Sequence, residues 1–237
     1  MVLPKALLFD VFGTSVDWYG SVTRALCKAL DRPPDDPTVA NLTLAWRQAY
    51  FDGMAEVREG RRSWRRVDEI HAEALVRLLP EHGFEVPGPE ALTRLNLVWH
   101  RLDPWPDTVE GLQRLRRRHT IVTLSNGNLD LLIDLARHGG IEWDKLFCSD
   151  LFKCYKPDPA TYLGACRLLG LRPEQVMMVA CHRSDLQAAA SLGLGTAFVA
   201  RPHEYGDRVA ADDASTGEFD LICTGFTDLA DRLEAAA

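Results

Sequence analysis

The amino-acid sequence predicts an α/β fold, in which a parallel sheet carries helices on both faces and a helical segment is inserted after the first strand. Short apolar runs that end in glycine or small polar residues alternate with segments of helical period along most of the chain. Elements that alternate in this way form a parallel sheet covered on both sides. A long stretch between the first two runs has helical period and no convincing strand.

The expected strands are short and apolar. The first, "KALLFDVFG", closes on a glycine, which is typical of a strand buried on both faces. The second, "TIVTLSNGN", is a β-branched run followed by small polar residues, and the third, "QVMMVACHRSD", repeats this design. The five strands are expected within Lys5–Gly13, Thr120–Asn128, Gln175–Asp185, Gly195–Pro202 and Phe219–Phe226.

Helical periods fill the segments between these strands. The expected helices are Val109–Arg118, Leu129–His138, Pro159–Leu169, Leu186–Leu192 and Thr227–Ala236. The inserted segment is also helical in period and is broken by prolines near residues 33, 37 and 87. We therefore expect a core formed by residues 1–17 and 100–237, with residues 18–99 forming a helical cap over the sheet.

Composition excludes several classes of function. The chain has 237 residues, 46% of them hydrophobic, which is enough for a sizeable buried core. Its net charge of -7 argues against a nucleic-acid partner, whose binding surface would need a basic excess. No apolar run approaches the roughly 20 residues that span a bilayer. The six cysteines show neither CxxC pairs nor zinc spacing, which indicates reduced thiols and a cytoplasmic protein.

Polar residues follow three of the expected strands. Asp10 ends the first strand, Ser125 and Asn126 end the second, and Asp185 lies just beyond the third. In open parallel sheets, ligands bind at the carboxyl ends of the strands. Lys156, in the loop "CYKPDPATY" that opens a helix, is expected at the same edge. These five side chains are therefore predicted to converge on one crevice.

Their order and spacing resemble the haloacid dehalogenase superfamily over essentially the whole chain. The four signatures of that family are matched here by "FDVFGT", "LSNG", "KPDP" and "VACHRSD". The resemblance implies a Rossmann-like core with an inserted cap. Many members are magnesium-dependent phosphatases, which need a second acid two residues after the nucleophile and an acid at the position of Cys181. This chain has Phe12 and Cys181 at those places, so phosphatase activity is not expected.

The subgroup that the sequence resembles is the L-2-haloacid dehalogenases. "LAWRQAY" matches the cap segment whose arginine receives the halide, and this places Arg47 in that role. "KPDPATY" carries a tyrosine, Tyr162, six residues after the lysine, and "RLDPWPD" also fits the subgroup. The resemblance implies that Asp10 displaces halide from the α-carbon of a small 2-haloacid. Water then cleaves the resulting ester to a 2-hydroxy acid of inverted configuration, without metal or cofactor. It also implies a homodimer.

The resemblance assigns roles to the catalytic residues. Asp10 is the nucleophile, Thr14 orients it, and Lys156 keeps it ionised. Asp185 positions or deprotonates the hydrolytic water. Arg47 and Ser125 complete the catalytic set, and Ser125 also binds the substrate carboxylate with backbone N–H groups near Phe12. The expected substrate-binding residues are Phe12, Ser125, Asn126, Arg47, Tyr162 and His182.

The last signature departs from the subgroup's usual pattern. Ala180 stands where serine is usual, and His182 stands where asparagine is usual. A bulkier, donor-rich ring could tighten the pocket around a small substrate such as fluoroacetate, or the histidine could be purely structural. Two other functions stay open: another hydrolase on this scaffold, opening a strained C–N ring or acting as a weak phosphatase, and a binding protein that has lost turnover.

Overall fold

The central element of the computed structural model, which describes residues 3–236, is a six-stranded parallel sheet. The strands of the chain are β1 (Ala6–Phe9), β2 (Val16–Asp17), β3 (Asp103–Pro104), β4 (Thr120–Ser125), β5 (Lys145–Cys148), β6 (Val176–Ala180), β7 (Gly195–Val199), β8 (Glu204–Asp207) and β9 (Leu221–Cys223). The sheet has the order β5-β4-β1-β6-β7-β9. β1 is therefore central, with Leu8 opposite Val122 on one side and Met178 on the other.

All five expected strands are present, and the α/β fold class is confirmed. β5, at one edge, was not predicted, because the short run "KLFC" has neither alternation nor β-branched residues. The helices are α1 (Trp18–Ala29), α2 (Pro37–Arg58), α3 (Val67–Glu81), α4 (Pro89–Asn96), α5 (Thr108–Leu115), α6 (Leu129–Gly139), α7 (Ser149–Phe152), α8 (Pro159–Leu169), α9 (Arg183–Ser191) and α10 (Phe226–Ala235). No helix in the described range is long and apolar enough to cross a membrane.

Helix α9 begins earlier than the sequence predicted. The expected start was Leu186, whereas the helix begins at Arg183. Asp185 therefore lies in the first turn of α9 and not in the loop before it. The first turn of the helix therefore fixes the position of Asp185, and its side chain points back toward the edge of the sheet.

The chain leaves and re-enters the sheet region through a small antiparallel pair. β2 and β3 pair Val16 with Pro104 and Asp17 with Asp103, on either side of the inserted helices α1–α4. α2 begins with the side chain of Asp36 accepting hydrogen bonds from the N–H groups of Thr38 and Val39. The division into a core and a cap at residues 18 and 99 stays a prediction.

An aromatic cluster joins the inserted helices to the end of β1. The ring of Phe12 meets those of Tyr50 and Trp99 edge to face, with centroids 6.0 and 5.9 Å apart. Trp18 and Trp46 are fully buried in the same cluster. The loop that follows the first strand is therefore fixed by hydrophobic contacts with helices that are distant in sequence.

His71 of α3 lies within this aromatic cluster without polar partners. Its ring stacks on Trp99 at a centroid distance of 4.2 Å, and within residues 3–236 neither ring nitrogen has a hydrogen-bond partner. Burial lowers the pKa of His71 to about 3. Because the unfolded chain binds this proton below about pH 6.5 and the folded chain does not, stability is lost as the pH falls from about 6.5 toward 3.

We therefore expect His71→Phe to reduce the acid sensitivity of folding. Between pH 7 and about 4.5 the wild-type protein should lose about 2 kcal/mol more unfolding free energy than the variant. Urea melts at the two pH values measure the difference. All other titrating groups are shared and cancel in the comparison. Equal losses for the two proteins would show that His71 is protonated in the folded state.

Candidate active site

Asp10 lies at the carboxyl end of the central strand, and its carboxylate accepts three hydrogen bonds. Lys156 Nζ donates to Oδ1 at 2.9 Å. Thr14 Oγ1 and His182 Nδ1 contact Oδ2 at 2.9 and 3.1 Å. Burial alone would raise the pKa of Asp10, but Lys156 and His182 outweigh it and hold that pKa well below its usual value. The carboxylate is therefore ionised and ready to act as a nucleophile.

Glycine is required at the turn after Asp10. Gly13 has φ +85, and a Cβ there would lie 2.2 Å from Oε1 of Glu204. Both the left-handed backbone and the close approach of this carboxylate exclude a larger residue. The turn is closed by Ser15, whose Oγ donates to the Asp10 carbonyl at 2.8 Å. The backbone thus turns sharply enough to present the Asp10 carboxylate at the edge of the sheet.

Lys156 connects Asp10 to a second carboxylate. Its Nζ contacts both Asp10 Oδ1 and Asp185 Oδ2. Burial alone would lower the pKa of Lys156, but the two carboxylates raise it above its usual value, so the amine stays charged. The backbone N–H of Lys156 donates to Asn126 Oδ1 at 2.7 Å, which fixes the orientation of that amide.

The pKa of Asp185 is shifted in the opposite direction from that of Asp10. Burial and the nearby charge of Asp10 raise the pKa of Asp185, and Lys156 only partly offsets them. The hydroxyl of Tyr162 donates to Asp185 Oδ1 at 2.6 Å and holds the carboxylate in place. Two carboxylates on one lysine therefore have pKa values shifted in opposite directions, which suits one to act as a nucleophile and the other as a proton acceptor.

Arg47, in the middle of α2, is buried among aromatic rings. Its guanidinium carbon lies 4.7 Å from the ring centroids of both Tyr50 and Phe51, and 5.4 Å from that of Phe12. Nε and Nη1 are buried and have no hydrogen-bond partner in the described part of the chain. Buried donors without partners are costly, so an anion bound at these nitrogens would be strongly stabilised.

These groups surround one cavity of about 200 Å³. Eight of the ten predicted site residues line it: Asp10, Phe12, Arg47, Asn126, Lys156, Tyr162, His182 and Asp185. The other two lie outside its lining. Thr14 contacts Asp10 through its hydroxyl. Ser125 is buried, and its Oγ accepts a hydrogen bond from the N–H of Gly127 at 3.1 Å. The predicted convergence is present, while contact between Ser125 and a ligand stays a prediction.

One buried acid beside the site was missed by the sequence analysis. Glu204, at the start of β8, lies 2.9 Å from His182 Nε2 through its Oε1. It is 1% exposed and belongs to no recognised motif. The signal was its position, because Glu204 lies five residues after the end of β7, as Asp185 lies five residues after the end of β6. Arg58, exposed at the end of α2, also lines the cavity and was not predicted.

Known proteins share this arrangement of elements. A model of the haloacid dehalogenase-like hydrolases matches residues 4–193. The chain belongs to this family. The family predicted from the four signatures is thereby confirmed.

Relatives of this haloacid dehalogenase-like hydrolase cover most of its length. (S)-2-haloacid dehalogenase 1 of Pseudomonas sp. (strain CBS-3) is 30% identical over 85% of this chain and 88% of its own. A solved L-2-haloacid dehalogenase is 45% identical, with a TM-score of 0.92, and covers 98% of this chain and 99% of its own. A solved defluorinating L-2-haloacid dehalogenase is 39% identical at the same TM-score, with coverages of 98% and 95%.

One group of side chains in the described structure has atoms that could bind a metal ion. Cys181, His182 and Glu204 place their ligand atoms within 4.8 Å of one another. Burial raises the pKa of the Cys181 thiol to about 11, so it is protonated at neutral pH. A metal ion would have to displace protons from both Cys181 and His182. Magnesium prefers oxygen ligands, and this haloacid dehalogenase-like hydrolase offers a sulfur where the phosphatase pattern has a carboxylate.

Proposed function

We propose that this chain is a hydrolase that cleaves the carbon–halogen bond of short L-2-haloalkanoic acids through an ester on Asp10, without a metal ion. One observation carries the proposal. The same cavity contains an ionised nucleophile, Asp10, and a buried cation, Arg47, with two donors that have no partner. A displacement at carbon that expels an anion needs both groups. The names of the related dehalogenases support it.

In the first step, Asp10 attacks the α-carbon of the substrate. The carbon–halogen bond breaks, its electron pair leaves with the halide, and Asp10 becomes an ester. Arg47 donates to the departing halide, and the amide NH2 of Asn126 is available as a second donor because its oxygen is held by Lys156. Phe12 forms an apolar wall that keeps water from solvating the nucleophile. The substrate carboxylate is placed toward Ser125 and the backbone N–H groups near Phe12.

In the second step, water attacks the acyl carbon of the ester, and Asp185 takes one of its protons. The bond from that carbon to the ester oxygen breaks, and the departing 2-hydroxy acid takes a proton from Lys156. The contact between Asp185 and Lys156 allows the lysine to recover this proton. Asp10 regains its charge and has gained one oxygen from water. One halide and one proton are released in each cycle.

The test is halide release from L-2-chloropropionate and from fluoroacetate with EDTA present. We expect release that EDTA does not change and that Asp10→Asn abolishes. Loss of activity in EDTA, restored by magnesium, would favour a phosphatase-type hydrolase, and turnover of a strained C–N ring alone would favour ring opening. If the wild type bound haloacid but released no halide, and Asp10→Asn bound it with unchanged affinity, the chain would be a binding protein. Sedimentation would test the homodimer, and fractionation would test the cytoplasmic location.

The small cavity and His182 lead us to include fluoroacetate among the substrates. Fluoride is strongly hydrated, so its departure needs close donors and little water, and one relative is named as defluorinating. Both ring nitrogens of His182 contact carboxylates, so the ring acts on fluoride by keeping the cavity small and dry. His182→Asn enlarges the cavity and should lower the rate with fluoroacetate more than the rate with chloroacetate. The measurement is the burst of halide in the first turnover. An unchanged fluoro-to-chloro ratio would assign His182 no part in halide choice.

A further inference from the structure

A buried pair outside the assigned catalytic set faces the nucleophile. His182 Nδ1 lies 3.1 Å from Asp10 Oδ2, and its Nε2 lies 2.9 Å from Glu204 Oε1. Since each ring nitrogen faces a carboxylate oxygen, both must donate, and the ring is an imidazolium. Trp18 Nε1 also donates to Glu204 Oε1 at 3.0 Å, which fixes that carboxylate. Glu204, His182 and Asp10 thus form a continuous hydrogen-bonded line.

The charges in this line favour a protonated ring, because the one imidazole lies between two carboxylates. The groups that face the imidazole are Asp10, Cys181 and Glu204, with Arg47 on the same cavity wall. Burial alone would lower the pKa of His182, but the carboxylates of Glu204 and Asp10 raise it well above its usual value. His182 lowers the pKa of Glu204 in turn, although burial opposes this. The ring therefore stays charged through neutral pH because Glu204 is ionised.

The two oxygens of Asp10 have different partners. Oδ1 is bonded to Lys156, whereas Oδ2 is bonded to both Thr14 and His182. If Oδ1 forms the ester, Oδ2 becomes its carbonyl oxygen. Water attack on the ester then moves an electron pair onto Oδ2. Two donors, one of them charged, already point at the atom where this negative charge develops.

We infer that His182 and Thr14 form the oxyanion hole for hydrolysis of the Asp10 ester, and that Glu204 is the positioning residue that keeps His182 oriented and charged. This rests on the proposed ester mechanism. It assigns His182 a role in the second step, which follows halide departure. In that step His182 and Thr14 transfer no proton. Oδ2 gains negative charge as water adds to the acyl carbon. It returns the electron pair to the carbonyl bond as the bond from the acyl carbon to Oδ1 breaks.

The decisive variant is Glu204→Gln, which keeps an oxygen for Trp18 and removes the charge. In stopped-flow halide assays we expect a normal burst of about one halide per site, followed by a steady-state rate about 10²-fold below wild type. Mass spectrometry of the quenched enzyme should show the ester accumulating on Asp10. Glu174→Gln, the same change at an exposed acid paired with Arg172, is the matched control and should behave like wild type.

The pH profile separates positioning from mere structural support. On the alkaline side, the kcat of the wild type should fall as the pH rises through the raised pKa of His182, and in Glu204→Gln that fall should move to lower pH. His182→Gln keeps a hydrogen-bond donor for Asp10 but carries no charge. This variant should accumulate the ester and lose this pH dependence. It is the test variant if Glu204→Gln does not fold. Adding Glu204→Gln to His182→Gln should then cost little more.

Two results would overturn the inference. One is a wild-type steady-state rate and pH profile in Glu204→Gln. The other is an equal loss of burst and steady-state rates in folded enzyme, which would make the pair structural. Failure of the proposed function looks different, because the wild-type enzyme itself would then release no halide and form no ester.

Discussion

Replacing Asp10 with asparagine is expected to lower halide release by about 10⁴-fold or more, because the variant lacks the attacking carboxylate. The amide is nearly the same size and keeps one acceptor oxygen, which either Lys156 or Thr14 can still contact. The loss should therefore appear in kcat without unfolding. Halide release under single-turnover conditions tests this expected loss. Circular dichroism checks that the variant is folded. Asp231→Asn, at an exposed acid paired with Arg114, is the matched control.

The same variant tests the chemistry of the intermediate. Wild-type enzyme quenched during turnover should contain a covalent adduct on the peptide with Asp10, and the variant should contain none. In ¹⁸O-labelled water, a single wild-type turnover should place the label in Asp10 and not in the hydroxy acid. Label in the product of that first turnover would mean that water attacks the α-carbon directly, with Asp10 acting only as a base.

The sequence predicted the convergence of part of the site, because those residues follow a geometric rule. Asp10, Asn126 and Asp185 each lie just beyond a buried strand, and parallel strands bring such positions to one edge. The rule was applied only to strands whose ends matched a known signature. Glu204 follows β7 in the same way. It contacts His182, which is 22 residues away in sequence, and no motif in the sequence predicts this contact.

The environment of Arg47 was beyond what the sequence could supply. The segment "LAWRQAY" resembles one with a halide-binding arginine, but whether the nitrogens of Arg47 are bonded also depends on side chains outside this segment. In the fold, Phe12, Trp18 and Phe51 surround the guanidinium with rings, which offer charge attraction and no hydrogen-bond acceptor in the ring plane. The unpartnered donors are a property of packing, and packing is decided by contacts that are distant in sequence.

Lys156→Met is expected to have the second large effect, acting on both catalysis and stability. The variant leaves the buried carboxylates of Asp10 and Asp185 facing each other without the ammonium that contacts both. Breaking a buried ion pair in this way costs about 3–5 kcal/mol. Without the lysine, repulsion and burial raise the carboxyl pKa values above those of the unfolded chain, so the variant should become less stable as the pH rises. Urea melts across pH 5 to 8 measure this.

The double variant Lys156→Met/Asp185→Asn separates the two roles of the lysine. Removing one carboxylate relieves the repulsion, so much of the lost stability should return. Halide release should stay about 10³-fold below that of the wild type, because Asp10 still lacks the ammonium of Lys156 and the ester lacks its proton acceptor. Lys156→Arg tests geometry, since it keeps the charge on a larger, planar group. If the double variant recovered halide release together with stability, Lys156 would serve only to neutralise Asp185, and the nucleophilicity of Asp10 would depend on Thr14 and His182 alone.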